Sequence, residues 1–187
     1  MSDSANMATL LMVDDDPSMV RLVARVVERN FRTELNIESL TDPAEARARI
    51  ERGGISILLT DLDMPEINGL DLLRSAKARN ACTQVLFLTG HSSHSALLAA
   101  LELGASDYLL KPVDRQELID LVGQALARHH RWQKAILMGA TSIGKSRTQA
   151  ADTPGVTGCD TAWDTLVDKV KNTLSAGLAA LALEHEE

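Results

Sequence analysis

The chain has 187 residues, 45% of them apolar, and 19 basic against 26 acidic side chains give a formal net charge of −7. That length suggests one full domain and part of a second, the apolar content excludes wholesale disorder, and the acidic balance argues against a protein that coats nucleic acid through its phosphates. The scattered rings of Phe31, Phe87, Tyr108, Trp132 and Trp163 make no base-stacking platform, and Cys82 and Cys159 make neither a disulfide framework nor a zinc site.

Residues 1–8 read as a loose tail, and Leu10–Val13 as the first strand. No basic region precedes that strand, so no secretory leader is expected. The longest later apolar stretch, Ala176–Leu183, is too short to span a bilayer. A cytoplasmic protein away from membranes is the expectation. Asp16-Pro17 places a capping acid before a proline at the first helical position, and Val20, Val23 and Val27 follow at helical spacing. A second strand is expected at Leu35–Leu40, then Asp42-Pro43 opens a helix carrying Ala44 and Ala48 that stops at Gly53-Gly54. Ile55–Leu59 reads as strand three, with Leu70 and Leu73 on the helix after it. Val85–Leu88 is strand four, followed by a helix with Leu97, Leu98 and Leu101 that ends at Gly104. Tyr108–Leu110 is strand five. Asp114 with Glu117 forms a capping-box-like pair before Leu118, Leu121, Val122 and Leu126.

Five strands thus alternate with five helices. Near-continuously apolar strands imply a parallel sheet buried on both faces, so residues 9–131 are expected to form one doubly wound α/β domain. Residues 132–160 read as a linker, because 139–160 are rich in Gly, Ser, Thr and Pro. Within 161–183, Trp163, Leu166, Val167, Val170, Leu174, Leu178 and Leu181 recur at steps of three or four. That is an amphipathic helix of about five turns.

Polar residues mark the carboxyl ends of the strands: Asp14-Asp15-Asp16, Thr60-Asp61, Thr89 and Lys111-Pro112. In open α/β sheets ligands bind at that edge, where the strand order reverses. With the order 2-1-3-4-5, Asp14, Asp15 and Asp61 converge there. Two unit charges 4 Å apart repel by about 4 kcal/mol at an effective dielectric of 20. A divalent cation relieves that repulsion, and an all-oxygen set suits Mg²⁺. Lys111 adds a positive charge and Thr89 a hydroxyl, which completes a constellation suited to phosphoryl transfer with Asp61 as nucleophile. Asp16 reads as a helix cap and not as a ligand.

These pieces resemble the receiver domain of the two-component response regulators. The resemblance is carried by Leu10–Asp16, Leu59-Thr60-Asp61-Leu62-Asp63-Met64-Pro65, Leu88-Thr89-Gly90 and Tyr108–Pro112, in the right order and spacing, and covers residues 9–131. It implies a flavodoxin-like fold in which Asp61 accepts a phosphoryl group from a phosphohistidine on a sensor histidine kinase or phosphotransfer protein. It implies Mg²⁺ held by Asp14, Asp15, Asp61 and the backbone carbonyl of Asp63. Lys111 would pair with the phosphoryl group, Thr89 would move towards it, and Tyr108 would turn inward with Thr89. The resemblance further implies a cis Lys111-Pro112 bond, a small residue at Gly90, rate control by Asp63 and His91, and a readout surface over residues 93–130. The chain is expected to act as a phosphoacceptor that promotes its own phosphorylation and dephosphorylation, without a separate enzymatic activity.

Other features weigh less. His91, His94 and the His129-His130 pair have no further ligands at metal spacing and read as exposed polar residues. Gly139-Ala140-Thr141-Ser142-Ile143-Gly144-Lys145-Ser146 matches the phosphate-loop pattern GxxxxGK[ST], for which Ala135–Met138 would have to be a strand. No apolar helical stripe follows it, so a flexible linker is the expectation. Output is expected through a downstream protein target or onward phosphorelay, with no direct nucleic-acid contact. A homodimer through the C-terminal helix or the 93–130 face stays open. So do a receiver governing an enzymatic module in the C-terminal third and an adaptor that works without phosphorylation.

Overall fold

The computed structural model describes residues 7–90 and 94–143, all within the unit Met1–Lys145. Of the expected loose tail over residues 1–8, residues 1–6 lie outside the described residues and Ala8 is instead buried as the first residue of the sheet, since it packs into the core. The linker beyond residue 143 and the amphipathic stripe at 163–181 also lie outside the described residues. Five strands, β1 (Ala8–Val13), β2 (Leu35–Leu40), β3 (Ile57–Asp61), β4 (Gln84–Thr89) and β5 (Asp107–Leu110), alternate with five helices. These are α1 (Pro17–Phe31), α2 (Pro43–Glu51), α3 (Gly69–Arg79), α4 (His94–Glu102) and α5 (Arg115–Ile143). Every pairing is parallel, and the sheet order is β2-β1-β3-β4-β5, as expected.

Alternation along the strands divides the core in two. Leu10 and Met12 of β1 face α1 and α5, packing with Val20, Val23, Val27, Leu118, Val122 and Leu126. Leu11 and Val13 face the other side, with Ile50 of α2, Leu72 and Leu73 of α3 and Ala100 of α4. A strand with both faces covered is apolar through its centre, and β4 is buried along its whole length, with polar Gln84 and Thr89 only at its ends. The edge strand β2 leaves Asn36 and Glu38 less enclosed, so it tolerates polar residues.

The caps fall where the sequence places them. The Asp16 carboxylate accepts from Ser18 N–H, and that of Asp42 from Ala44 and Glu45 N–H. Asp114 accepts from the N–H groups of Gln116 and Glu117 at the start of α5. Gly104, at φ +90°, ends α4 by donating to the Leu101 carbonyl.

Strands β1, β4 and β5 extend one or two residues beyond the expected runs, to Ala8, to Gln84 and Thr89, and to Asp107, and two boundaries differ more. Strand β3 begins at Ile57 instead of Ile55 and includes Thr60 and Asp61, because both polar residues are buried inside the sheet. Helix α5 runs on to Ile143, so residues 132–143 of the expected linker are helical. The good helix formers Lys134, Ala135, Leu137 and Met138 carry the helix past the receiver, and no proline interrupts it. This also removes the strand that a phosphate loop requires: Ala135–Met138 are helical, and Gly139–Ile143 continue the helix. The rest of that motif, residues 144–146, lies outside the described residues.

Candidate functional site

Strands β1 and β3 are neighbours, with Val13 paired to Thr60. Both end at the same sheet edge, so Asp14 and Asp61 follow them side by side. One carboxylate oxygen from each of Asp14, Asp15 and Asp61 lies within 4.8 Å of the other two. Asp14 is 1% exposed and Asp61 8%, while Asp15 is open to solvent. Strand β5 delivers Lys111 across the edge from β4, and its backbone N–H donates to the Thr89 carbonyl at 2.8 Å. The Lys111 ammonium then donates to Asp14 Oδ2 at 2.8 Å and to Asp61 Oδ2 at 2.6 Å. The Lys111-Pro112 peptide is cis, as the resemblance implies.

Backbone donors fix the remaining oxygens. Asp14 Oδ1 accepts from Asp16 N–H at 2.9 Å. Asp61 Oδ1 accepts from Leu62 N–H at 2.6 Å and from Asp63 N–H at 3.3 Å. Burial pushes the Asp14 carboxyl above its ordinary value, more than the hydrogen bonds from Lys111 and Asp16 lower it. Burial alone would lower Lys111, but its two carboxylate partners together outweigh it, and the ammonium is held above its ordinary value.

Three carboxylates against one ammonium leave the cluster with two negative charges. Its donors are all oxygens, two of the acids are buried, and the third opens to solvent. That set fits a hard divalent cation entering from the Asp15 side, and among the described residues no other cluster offers ligands at such spacing. Both ring nitrogens of the buried His129 lack partners, and the ring joins no metal-ligating group. His91 lies outside the described residues, as does the side chain of His94.

Thr89 ends β4 fully buried, and its hydroxyl has no hydrogen-bond partner. An unpartnered buried hydroxyl costs stability. Tyr108 is half-buried on β5 against the core of the α2–α4 face. At Gly90 an added Cβ would meet the Lys111 side chain at 3.8 Å, ordinary contact, so a slightly larger residue fits there.

A buried acid pair bridged by one lysine, at the carboxyl edge of a 2-1-3-4-5 parallel sheet, is the arrangement of a receiver-type signalling domain. The chain matches the family described as the response regulator receiver domain over residues 10–123, and it belongs to that family. Transcriptional regulatory protein TrcR of Mycobacterium tuberculosis is 29% identical over 148 residues, covering 76% of this chain and 56% of that protein. DNA-binding transcriptional regulator NtrC of Escherichia coli is 33% identical over 123 residues, covering 66% of this chain and 26% of that one. The chain therefore spans about a quarter of one and just over half of the other. A solved response regulator receiver domain from Clostridium thermocellum has a TM-score of 0.61 at 26% identity, covering 67% of this chain and 99% of that one. Among the described residues no helix is long and apolar enough to cross a membrane.

The sequence pattern missed two contributors. One is the pair of backbone N–H groups of Leu62 and Asp63 that hold Asp61, which no side-chain motif reveals. The other is Gly69, which closes on the backbone of Asp61 from the start of α3. The spacing of a glycine next to the capping Asn68 was its only trace.

Proposed function

We propose that this protein is a response regulator whose Asp61 accepts a phosphoryl group from a phosphohistidine on a sensor histidine kinase or phosphotransfer protein. The observation that carries the reading is the Asp14–Lys111–Asp61 bridge with Asp15 within 4.8 Å. Asp14, Asp15 and Asp61, with the backbone carbonyl of Asp63, would hold Mg²⁺. When bound, Mg²⁺ supplies positive charge that draws the phosphoryl oxygens into the acid cluster.

The chain's own residues do the rest. Leu62 and Asp63 N–H groups hold the Asp61 carboxylate in one orientation, which favours attack. An Asp61 oxygen forms a bond to phosphorus as the P–N bond of the donor breaks, and the imidazole leaves with the electron pair. Lys111 shifts its ammonium from the carboxylates to the new phosphoryl oxygens and balances their charge. The Thr89 hydroxyl, buried without a partner, gains one by donating to the phosphoryl group. Tyr108 follows inward, and the change reaches the surface over residues 93–130. This is a two-state element biased by added negative charge. Asp63 and His91 set the lifetime of the acyl phosphate.

Residues 9–131 form the receiver in this reading. The protein acts in the cytoplasm through a downstream protein target or onward phosphorelay. TrcR and NtrC are a transcriptional and a DNA-binding regulator by name; the chain spans only part of each, and their DNA binding is not carried over. Incubation with phosphoramidate and Mg²⁺ tests the reading by intact mass. One phosphoryl adduct on wild type and none on Asp61→Asn supports it; an equal adduct on both refutes it.

A further inference from the structure

We propose that Gly69 is a positioning residue for the phosphoacceptor. Having no Cβ, it lets the first turn of α3 close on the backbone of Asp61 and Leu62, and so fixes the two N–H groups that orient the Asp61 carboxylate. The inference rests on the reading of Asp61 given above.

A Cβ built on Gly69 would lie 2.2 Å from the Asp61 carbonyl oxygen, 2.9 Å from Phe87 Cε1 and 3.0 Å from Leu62 Cα. Two of these atoms are backbone, and Phe87 is wedged in the core at 1% exposure. None is the free end of a flexible side chain, so a methyl group forces the backbone to move. The requirement is space and not an unusual dihedral, since among the described residues the glycines in the left-handed region are Gly53, Gly54 and Gly104.

The closure is also bonded. Gly69 N–H donates to the Leu62 carbonyl at 3.0 Å, which ties α3 to the residue just after the phosphoacceptor. Asn68 Oδ1 accepts from Asp71 N–H at 3.0 Å and holds the turn in which Gly69 sits. Relief of the clash must either lift α3 away from β3 or rotate the Asp61–Leu62 peptide. Both movements shift the Leu62 and Asp63 N–H groups, the backbone donors to Asp61 Oδ1. They also shift the Asp63 carbonyl proposed as a Mg²⁺ ligand.

The test compares the full-length wild type with Gly69→Ala and with Gly123→Ala, whose Cβ would meet Phe31 at an ordinary 3.7 Å. Thermal melting, Mg²⁺ affinity by calorimetry, amide ¹⁵N shifts of Leu62 and Asp63, and initial phosphoryl uptake from phosphoramidate are read on each. Because a displacement of about 1 Å at a reacting group costs up to about a hundredfold, Gly69→Ala is expected to slow uptake and weaken Mg²⁺ binding at least about tenfold. The Leu62 and Asp63 amides should move with it, and Gly123→Ala should match wild type in Mg²⁺ affinity, amide shifts and uptake, with a melting temperature no lower. A merely structural role would lower the melting temperature yet leave Mg²⁺ affinity and the rate per folded molecule unchanged. That result overturns the inference. Should Gly69→Ala fail to fold, Asn68→Ala loosens the same turn at the modest cost of a lost cap, and about threefold slower uptake with displaced Leu62 and Asp63 amides is expected. Unchanged uptake and amides in Asn68→Ala overturn the inference. If wild type itself takes up no phosphoryl group, the phosphoacceptor reading falls and the inference falls with it.

Discussion

Asp14→Asn should stabilise the fold in the absence of divalent cations. Asp14 repels two carboxylates whose ligand oxygens lie within 4.8 Å of its own. At an effective dielectric of 20, each such pair costs at least about 3.5 kcal/mol. The ammonium of Lys111, 2.8 Å from Asp14 Oδ2, returns about 6 kcal/mol on the same scale. Attraction and repulsion nearly cancel, the exposed Asp15 weakening the repulsive side, so burial decides the sign. Burial is the largest influence on the Asp14 carboxyl, and its pKa stands raised. An ionised group with a raised folded pKa costs stability at every pH above that pKa. The cost disappears as pH falls through the raised value towards the ordinary 3.8. Asparagine keeps an oxygen for the Asp16 N–H and carries no charge. We therefore expect Asp14→Asn to be more stable than wild type at pH 7 in chelator, by about 1 kcal/mol on the ordinary scale of a point substitution, which is a few degrees of melting temperature for a domain of this size. The gain should vanish below pH 4 and should reverse in Mg²⁺, which binds and stabilises wild type preferentially. Urea unfolding in chelator at pH 7 and pH 3.5 measures this. A destabilised Asp14→Asn at pH 7 in chelator would refute the reasoning.

Three further outcomes follow from the same structure. Lys111→Met leaves two buried carboxylates without their shared partner, so it should lose about 2–4 kcal/mol in chelator and regain part of that in Mg²⁺, as paired urea titrations would show. His129 is buried with both ring nitrogens unpartnered, and burial and then His130 lower its pKa below the ordinary 6.5. Its contribution is complete above pH 6.5 and is lost as pH falls through the lowered value. Melting temperature should therefore drop between pH 7 and pH 5 in wild type, and less in His129→Leu; equal drops would contradict the assignment. Among the described residues an added Cβ at Gly90 meets the Lys111 side chain alone, at ordinary contact, so the stability of Gly90→Ala should stay within about 0.5 kcal/mol of wild type in the same titrations.

The fold was legible because its physics is local. Apolar runs of strand length, Asp-Pro helix starts and glycine stops fall in strict alternation, which implies a parallel sheet buried on both faces, while the strand order came from the resemblance to receiver domains. The acid cluster was legible because strand ends bring Asp14 and Asp61 to one edge. The far end of α5 was not. Gly139, Thr141 and Ser142 read as linker, yet the helix reaches Ile143, since propensity is a weak guide against cooperative extension of a helix already anchored by Leu118–Leu126. The role of Gly69 was hidden for a different reason. Its importance lies in the space beside Asp61, and a one-dimensional pattern carries no distances. The partnerless nitrogens of His129 are likewise a property of packing, where the sequence suggested only an exposed pair.

The central claim is that Asp61 takes a phosphoryl group in a site that needs a divalent cation. The most direct measurement is intact-mass spectrometry after exposure to acetyl phosphate, with Mg²⁺ or with chelator, followed by hydroxylamine cleavage and peptide mapping. The account predicts one adduct, only with Mg²⁺, mapped by hydroxamate to Asp61 and absent from Asp61→Asn. An adduct that forms equally in chelator, or that maps to any other residue, would contradict it.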